Sequence, residues 1–129
     1  MEISNINWKS FEKITKFTLK KMDFEIIEES PTGKDNGVDL IVQKDDKIRL
    51  VSVKKLRNKV TSSIIKEIFA TAISRKIKYA IVVSFSGFTE PAIIFAKENN
   101  ILLLSLDEIM TIMVSSHKNY FGEQKDELF

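Results

Sequence analysis

Hydrophobic residues recur along this chain with two different spacings. Apolar side chains at every third or fourth position predict helices over Trp8–Met22, Thr61–Lys76 and from Leu106 to about Ser116. Short apolar runs predict strands over residues 23–29, 38–43, 48–54, 79–84 and 101–104. A further helix is predicted from Thr89 to Asn99, because Thr89 is a good N-cap. This order predicts an α/β domain with a mixed central sheet sandwiched by helices.

The second and third predicted strands are joined by a short polar turn, so they are predicted to form a hairpin. If Asp45 and Asp46 are the two central turn residues, Asp39 lies opposite Ser52. Opposite residues share a face, with Cβ atoms about 5 Å apart, and Lys54 shares that face because side chains alternate along a strand. Two-residue turns favour Asn-Gly or Asp-Gly, and a longer loop would change this register.

Both faces of the predicted hairpin are apolar, which is typical of central strands covered on both sides. One face is predicted to carry Val38, Leu40, Val42, Val51 and Val53. The other face is predicted to carry Ile41, Ile48 and Leu50.

Length and composition limit the class of protein. The 129 residues suit one domain over 1–129, with a tail that we expect to fray from about residue 117. The chain has no cysteine and a single histidine, His117, which argues against thiolate metal sites and a Ser-His-Asp triad. It also lacks a long apolar run or a signal-peptide pattern, so we expect a cytoplasmic protein without a membrane partner. A net charge of +2 does not by itself point to a nucleic-acid partner.

Carboxylates beside a lysine are the side chains that metal-assisted phosphodiester hydrolysis requires. Acids hold Mg²⁺ through hard oxygen ligation, and the lysine orients water and offsets charge on the phosphorus. Asp39, Ser52 and Lys54 occupy such places. From spacing alone, Asp39 and Lys54 more often form a strand-end ion pair, and Glu12 is as readily an i,i+4 partner of Lys16.

A set of ordered motifs resembles the Mrr-like branch of the PD-(D/E)xK nucleases, a restriction-endonuclease-like superfamily that includes archaeal Holliday junction resolvases. The matching pieces are Trp8-x-x-Phe11-Glu12, Gly33-x-Asp35-x-Gly37-Val38-Asp39-Leu40, Val51-Ser52-Val53-Lys54, Gly87-Phe88-Thr89-x-x-Ala92-x-x-x-Ala96 and Leu106-Asp107-Glu108. The resemblance implies a restriction-endonuclease-like core and a metal-dependent DNA endonuclease of restriction or repair.

The resemblance also implies roles for individual residues. Asp39 and Lys54 would be catalytic, and Glu12 would approach the metal, often through water. Mg²⁺ or Mn²⁺ would be held by Asp39 and Glu12 with the Val53 carbonyl. The implied substrate is double-stranded or branched DNA, cut by a homodimer.

Ser52 departs from the family pattern, which carries Glu or Gln at this position. Glu12 and Asp39 with the Val53 carbonyl could still hold one metal ion. Glu67 on the second long helix could instead supply the missing carboxylate. Alternatively, the site is degenerate, and the chain is a DNA-binding or protein-interaction module on the same fold.

A basic connector follows Lys54 directly. It contains Lys55, Arg57 and Lys59, which we expect to contact DNA phosphates. Such contacts position a duplex without reading its sequence.

Overall fold

The computed structural model describes residues 8–30 and 37–115 of the protein. The order of elements predicted from the sequence is confirmed. The elements are α1 (Trp8–Lys21), β1 (Glu25–Glu29), β2 (Leu40–Lys44), β3 (Lys47–Lys54), α2 (Ser62–Ser74), β4 (Tyr79–Ser84), α3 (Glu90–Glu98), β5 (Ile101–Ser105) and α4 (Leu106–Val114).

The strands form one five-stranded mixed sheet in the order β1-β2-β3-β4-β5. The first three strands are antiparallel, and β3, β4 and β5 are parallel. Helices α1 and α4 bury one face of the sheet, with Phe11 and Ile109 in that core. Helices α2 and α3 bury the other face, where Ile65 and Ala92 are fully buried. The predicted α/β sandwich is therefore confirmed.

The register of the β2–β3 hairpin is as predicted from Leu40 to Val51, but Asp39 and Ser52 are not among its paired residues. Leu40 pairs with Val51, and Lys44 pairs with Lys47 around a two-residue turn. The turn residues Asp45 and Asp46 have φ values of 53° and 63°, as a type I′ turn requires. Aspartate tolerates this left-handed backbone better than most residues do.

The prediction for Val38 was wrong. Val38 belongs to the core under α2 and α3, whereas Leu40 belongs to the core under α1 and α4. The strand begins only at Leu40, and Gly37 has a φ of 85°. The alternation of side chains along β2 therefore does not extend back to Val38.

The N-cap predicted at Thr89 is confirmed. Thr89 accepts a hydrogen bond from the Ala92 amide at the start of α3. Ser105 and Glu108 form a capping box at the start of α4. Strand β1 begins two residues later than predicted because Asp23 has a left-handed φ of 71°.

The sequence predicted no membrane partner and a tail that frays from about residue 117. Within the described ranges, every helix is too short or too polar to cross a bilayer. The tail from about residue 117 lies outside the described residues, so a single domain over 1–129 stays a prediction.

Candidate active site

Asp39 lies at the open end of the hairpin, one residue before β2 begins. Its backbone N–H donates to the Val51 carbonyl at 2.8 Å. Its carboxylate Oδ2 accepts a hydrogen bond of 2.7 Å from the Val53 N–H. The ladder of paired residues ends at Leu40 and Val51, so the Asp39 side chain takes the place of a backbone acceptor. This bond fixes the carboxylate at the end of β3.

The surroundings of Asp39 disfavour its negative charge. Burial raises the pKa of this carboxyl above 3.8, and the nearby Glu12 carboxyl adds to that effect. The Val53 hydrogen bond and the charges of Lys54 and Lys55 act in the opposite direction but do not cancel it. A cation placed beside Asp39 would relieve this penalty.

Ser52 and Lys54 lie together beside Gly37. A Cβ atom added to Gly37 would lie 3.5 Å from Lys54 Nζ and 3.7 Å from Ser52 Oγ. The positive φ of 85° at Gly37 also favours glycine. The missing side chain therefore leaves room next to both polar groups.

Both of these polar groups lack a partner among the described residues. Ser52 is fully buried, and its Oγ has no hydrogen-bond partner there. Throughout residues 8–30 and 37–115, the Lys54 ammonium has neither a hydrogen bond nor an ion pair. A buried hydroxyl without a partner costs free energy. The described residues therefore leave polar groups at the open end of the hairpin without hydrogen-bond partners.

Helix α1 brings Glu12 to this end of the sheet. Its neighbour Phe11 is buried and meets Phe85 edge to face, with ring centroids 5.4 Å apart. Phe85 is tied to the end of β3 because its N–H donates to the Lys54 carbonyl at 2.9 Å. The contact between the two rings therefore sets the position of Glu12 relative to Lys54.

Glu12 binds Lys55, with 2.9 Å between Nζ and Oε1. The alternative pair of Glu12 with Lys16 does not form, and Lys16 pairs with Glu29 instead. The Lys55 side chain is only 5% exposed. Burial lowers the pKa of Lys55, and the charges of Glu12 and Asp39 oppose that shift. Lys55 was predicted as a DNA contact, but its ammonium lies among the acids of the site.

Arg57 and Lys59 are exposed, as a contact with DNA would require. Their loop is held at both ends by the segment that follows β4. Ser86 Oγ donates to the Leu56 carbonyl, and the Val60 N–H donates to the Gly87 carbonyl at 2.9 Å. The two cations therefore lie on an anchored loop that starts at the site.

Glu67, the alternative source of a carboxylate, is exposed on α2. Among the charges that shift the pKa of Asp39 are those of Lys54, Glu12 and Lys55, but not that of Glu67. The structure therefore brings Glu12, rather than Glu67, to Asp39.

The residues present fit a hard divalent cation held with open positions. The described ranges contain no group of three or more acids, histidines or cysteines that could hold a metal ion. Mg²⁺ needs no such cage, since one or two carboxylates with water and substrate phosphates hold it. Asp39 and Glu12 supply two carboxylates. The Val53 N–H points toward Asp39, and in an antiparallel strand the carbonyl of the same residue points the same way.

The ion pair of Lys55 with Glu12 and the burial of Arg49 were not predicted from the sequence. Lys55 directly follows Lys54, the last residue of β3, so continued alternation would have placed it on the opposite face from Lys54. Its contact with Glu12 shows that Lys55 does lie on the side of α1. Arg49 is 2% exposed within the sheet, and the sequence offers no comparable signal for that burial.

Solved restriction endonucleases share this fold, a mixed sheet with helices on both faces. A family model described as restriction endonuclease, Mrr_cat, matches residues 3–113. The chain belongs to this family, which confirms the resemblance seen in the sequence.

Solved structures share the fold at low sequence identity. The MspJI restriction endonuclease in complex with a 27-mer oligonucleotide is 15% identical, with a TM-score of 0.60 over 90% of this chain and 29% of that one. The DNA modification-dependent restriction endonuclease AspBHI is 10% identical, with a TM-score of 0.56 over 92% of this chain and 35% of that one. A protein of unknown function, AF1548, is 13% identical, with a TM-score of 0.64 over 81% of this chain and 64% of that one.

The present chain therefore spans less than two thirds of each of these three proteins. At these identities the likeness shows the fold alone. A search of curated protein sequences gives no match.

Proposed function

We propose that the protein is a metal-dependent DNA endonuclease of Mrr-like type that hydrolyses phosphodiester bonds in double-stranded or branched DNA, in restriction or repair. The observation that carries this proposal is the pairing of a fixed carboxylate with a lysine that has no partner among the described residues. Asp39 is held by the Val53 N–H at 2.7 Å. Lys54 carries a charge that acts on Asp39, while its ammonium remains available to water or phosphate.

Each residue of the site has a distinct part in this reaction. A bound Mg²⁺ or Mn²⁺ would supply Lewis acidity and positive charge beside the scissile phosphate. Asp39 and Glu12, with the Val53 carbonyl, would hold the cation. Lys54 would orient the attacking water and offset the charge that develops on the phosphate oxygens. Ser52 offers a neutral hydroxyl next to Lys54, in place of the usual Glu or Gln.

The basic loop after β3 supports a DNA substrate. Arg57 and Lys59 are exposed beside the site, where they would contact phosphates and position the duplex. A homodimer would present two such sites, one for each strand of a duplex.

A plasmid nicking assay tests the proposal. Wild-type protein with Mg²⁺ or Mn²⁺ should convert supercoiled plasmid to nicked or linear forms, and chelation should stop the reaction. Asp39→Ala should abolish cleavage while the protein remains folded by circular dichroism. Equal cleavage by this variant and the wild type would show that the site assignment is wrong.

A second candidate function is a non-catalytic DNA-binding or protein-interaction module. Ser52 favours it, because a hydroxyl is a poorer ligand for Mg²⁺ than a carboxylate. The module would bind duplex or branched DNA without cutting any form in either metal. That result, together with salt-dependent binding that Arg57→Met weakens, would replace the nuclease proposal with the DNA-binding one.

A further inference from the structure

The pair of Glu12 and Lys55 has a consequence for how the site takes up a cation. Lys55 Nζ lies 2.9 Å from Glu12 Oε1, and its side chain is 5% exposed. Glu12 is the more accessible partner, with 40% of its side chain exposed. The ammonium therefore reaches the carboxylate from the protein side, and solvent reaches it from the outside.

The Lys55 ammonium also acts on the second acid of the site. Its charge interacts with Asp39 as well as with Glu12. Lys54 differs, since its ammonium lies near Gly37 and Ser52 and forms no ion pair with either acid. Both lysines act on Asp39 through their charge, but of the two only Lys55 forms an ion pair with Glu12.

We propose that Lys55 is an internal counter-ion that competes with the divalent cation for Glu12, and so lowers the affinity of the DNA-free protein for metal. Lys55 is then a positioning residue that acts through Glu12, and it is not a DNA contact. This inference rests on the proposed function, because it assumes that Asp39 and Glu12 hold the cation.

Repulsion between the Lys55 ammonium and a bound divalent cation sets the direction and size of the effect. A monovalent and a divalent cation about 5 Å apart repel each other even in water, so removing the Lys55 charge should tighten metal binding by about tenfold or more. Lys55→Met is a suitable change, since methionine keeps an unbranched apolar stem where the lysine is buried. Glu12 is partly exposed, so the variant leaves no buried charge without a partner.

The test is titration calorimetry of the whole chain with Mn²⁺, without DNA. Lys55→Met should bind Mn²⁺ about tenfold more tightly than the wild type. The matched control Lys78→Met, which removes an exposed lysine before β4, should bind as the wild type does. A double variant, Glu12→Gln with Lys55→Met, should lose the gain, because the carboxylate in question is gone.

The salt dependence of DNA binding provides the second readout. A purely structural role for Lys55 would not predict that Arg57→Met changes this dependence while Lys55→Met leaves it unchanged. Each phosphate contact contributes about −0.9 to the slope of log K against log salt. Arg57→Met should flatten the slope by about that amount. Lys55→Met should leave it unchanged, because its charge is already balanced by Glu12.

The outcomes separate this inference from the proposed function. If the wild type binds Mn²⁺ and Asp39→Asn does not, but Lys55→Met binds no more tightly than the wild type, the counter-ion inference is overturned and the nuclease proposal stands. A slope that flattens in Lys55→Met as much as in Arg57→Met also overturns the inference. If neither wild type nor Lys55→Met binds Mn²⁺ at all, the inference and the metal-dependent function both fail.

Discussion

The two ends of the β2–β3 hairpin differ in how far the protein satisfies the polar side chains placed there. At the turn end, the Arg49 guanidinium is 2% exposed and donates to the carbonyls of Lys44 and Lys47 at 2.9 and 3.0 Å. It also lies over the rings of Phe24 and Tyr79, with 5.1 and 5.7 Å to the centroids. The Arg49 Nε atom makes no hydrogen bond among the described residues, but contacts within the protein satisfy the rest of this guanidinium.

The polar groups at the open end are less fully satisfied. Asp39 keeps a carboxyl whose charge burial disfavours. Ser52 Oγ is buried without a partner in the described ranges, and the residues described by the structure give the Lys54 ammonium no hydrogen bond. Polar groups that a protein leaves unsatisfied are expected where an external ligand completes them. The comparison supports our proposal that the turn end serves stability and the open end serves binding and chemistry.

Lys54→Met should have the largest effect, because it removes the group proposed to orient water. We expect cleavage to fall by about 100-fold or more, which is typical for loss of a proton-transfer or positioning group. The measurement is the single-turnover cleavage rate with Mn²⁺. Mn²⁺ affinity by calorimetry should stay close to the wild-type value, and a large loss would mean that Lys54 holds the metal site together.

Arg49→Met should mainly affect stability. The change removes two hydrogen bonds from a charged donor and two ring contacts, so unfolding should become easier by about 2 kcal/mol. The urea midpoint measures this loss, and the m-value should not change. Cleavage by the folded variant should match the wild type. If the fully folded variant cleaves more slowly than the wild type, the turn end does not serve stability alone, and the proposed difference between the two ends is contradicted.

Asp39→Asn should stabilise the metal-free protein at neutral pH. Asparagine keeps an oxygen that can accept from Val53 and lacks the charge that burial disfavours. The folded-state pKa of Asp39 lies above 3.8, so the folded state binds its proton more tightly than the unfolded state does. The wild type therefore loses stability as pH rises from below about 4 through the folded-state pKa.

Thermal melts in chelator over this pH range test the point. The melting temperature of Asp39→Asn minus that of the wild type should rise with pH and then level off. A difference that falls with pH would show that the folded protein favours the charged carboxylate, and that burial does not dominate the pKa of Asp39.

Ser52→Ala should have the smallest effect. Removal of a buried hydroxyl without a partner should leave stability unchanged or raise it by up to about 1 kcal/mol. Ser84→Ala is a matched control, because Ser84 is equally buried but donates to the Gly87 carbonyl at 2.8 Å. It should lose about 1 kcal/mol. Equal losses in both variants would show that Ser52 Oγ has a partner in solution.

The sequence predicted the fold well because its signals are local. Alternating and helical spacing located the elements, and the Asp45-Asp46 turn set the register that Leu40 and Val51 show. The motif around Asp39 and Lys54 came from family resemblance. What could not be predicted depends on how distant elements meet: the Glu12 partner is Lys55, 43 residues away, and the burial of Arg49 depends on rings from two other segments.

Paramagnetic broadening by Mn²⁺ in an NMR spectrum tests the central claim most directly, because it reports where the cation binds along the hairpin. Strand β3 is about 23 Å long, so the two ends are well separated for this measurement. Substoichiometric Mn²⁺ should broaden the amide signals of Leu40, Val53 and Lys54 and leave those of Lys44 and Lys47 sharp. In Asp39→Asn the effect should disappear. Broadening at the turn end, or broadening at the open end that survives in Asp39→Asn, would contradict the assignment of the open end as the metal-binding site.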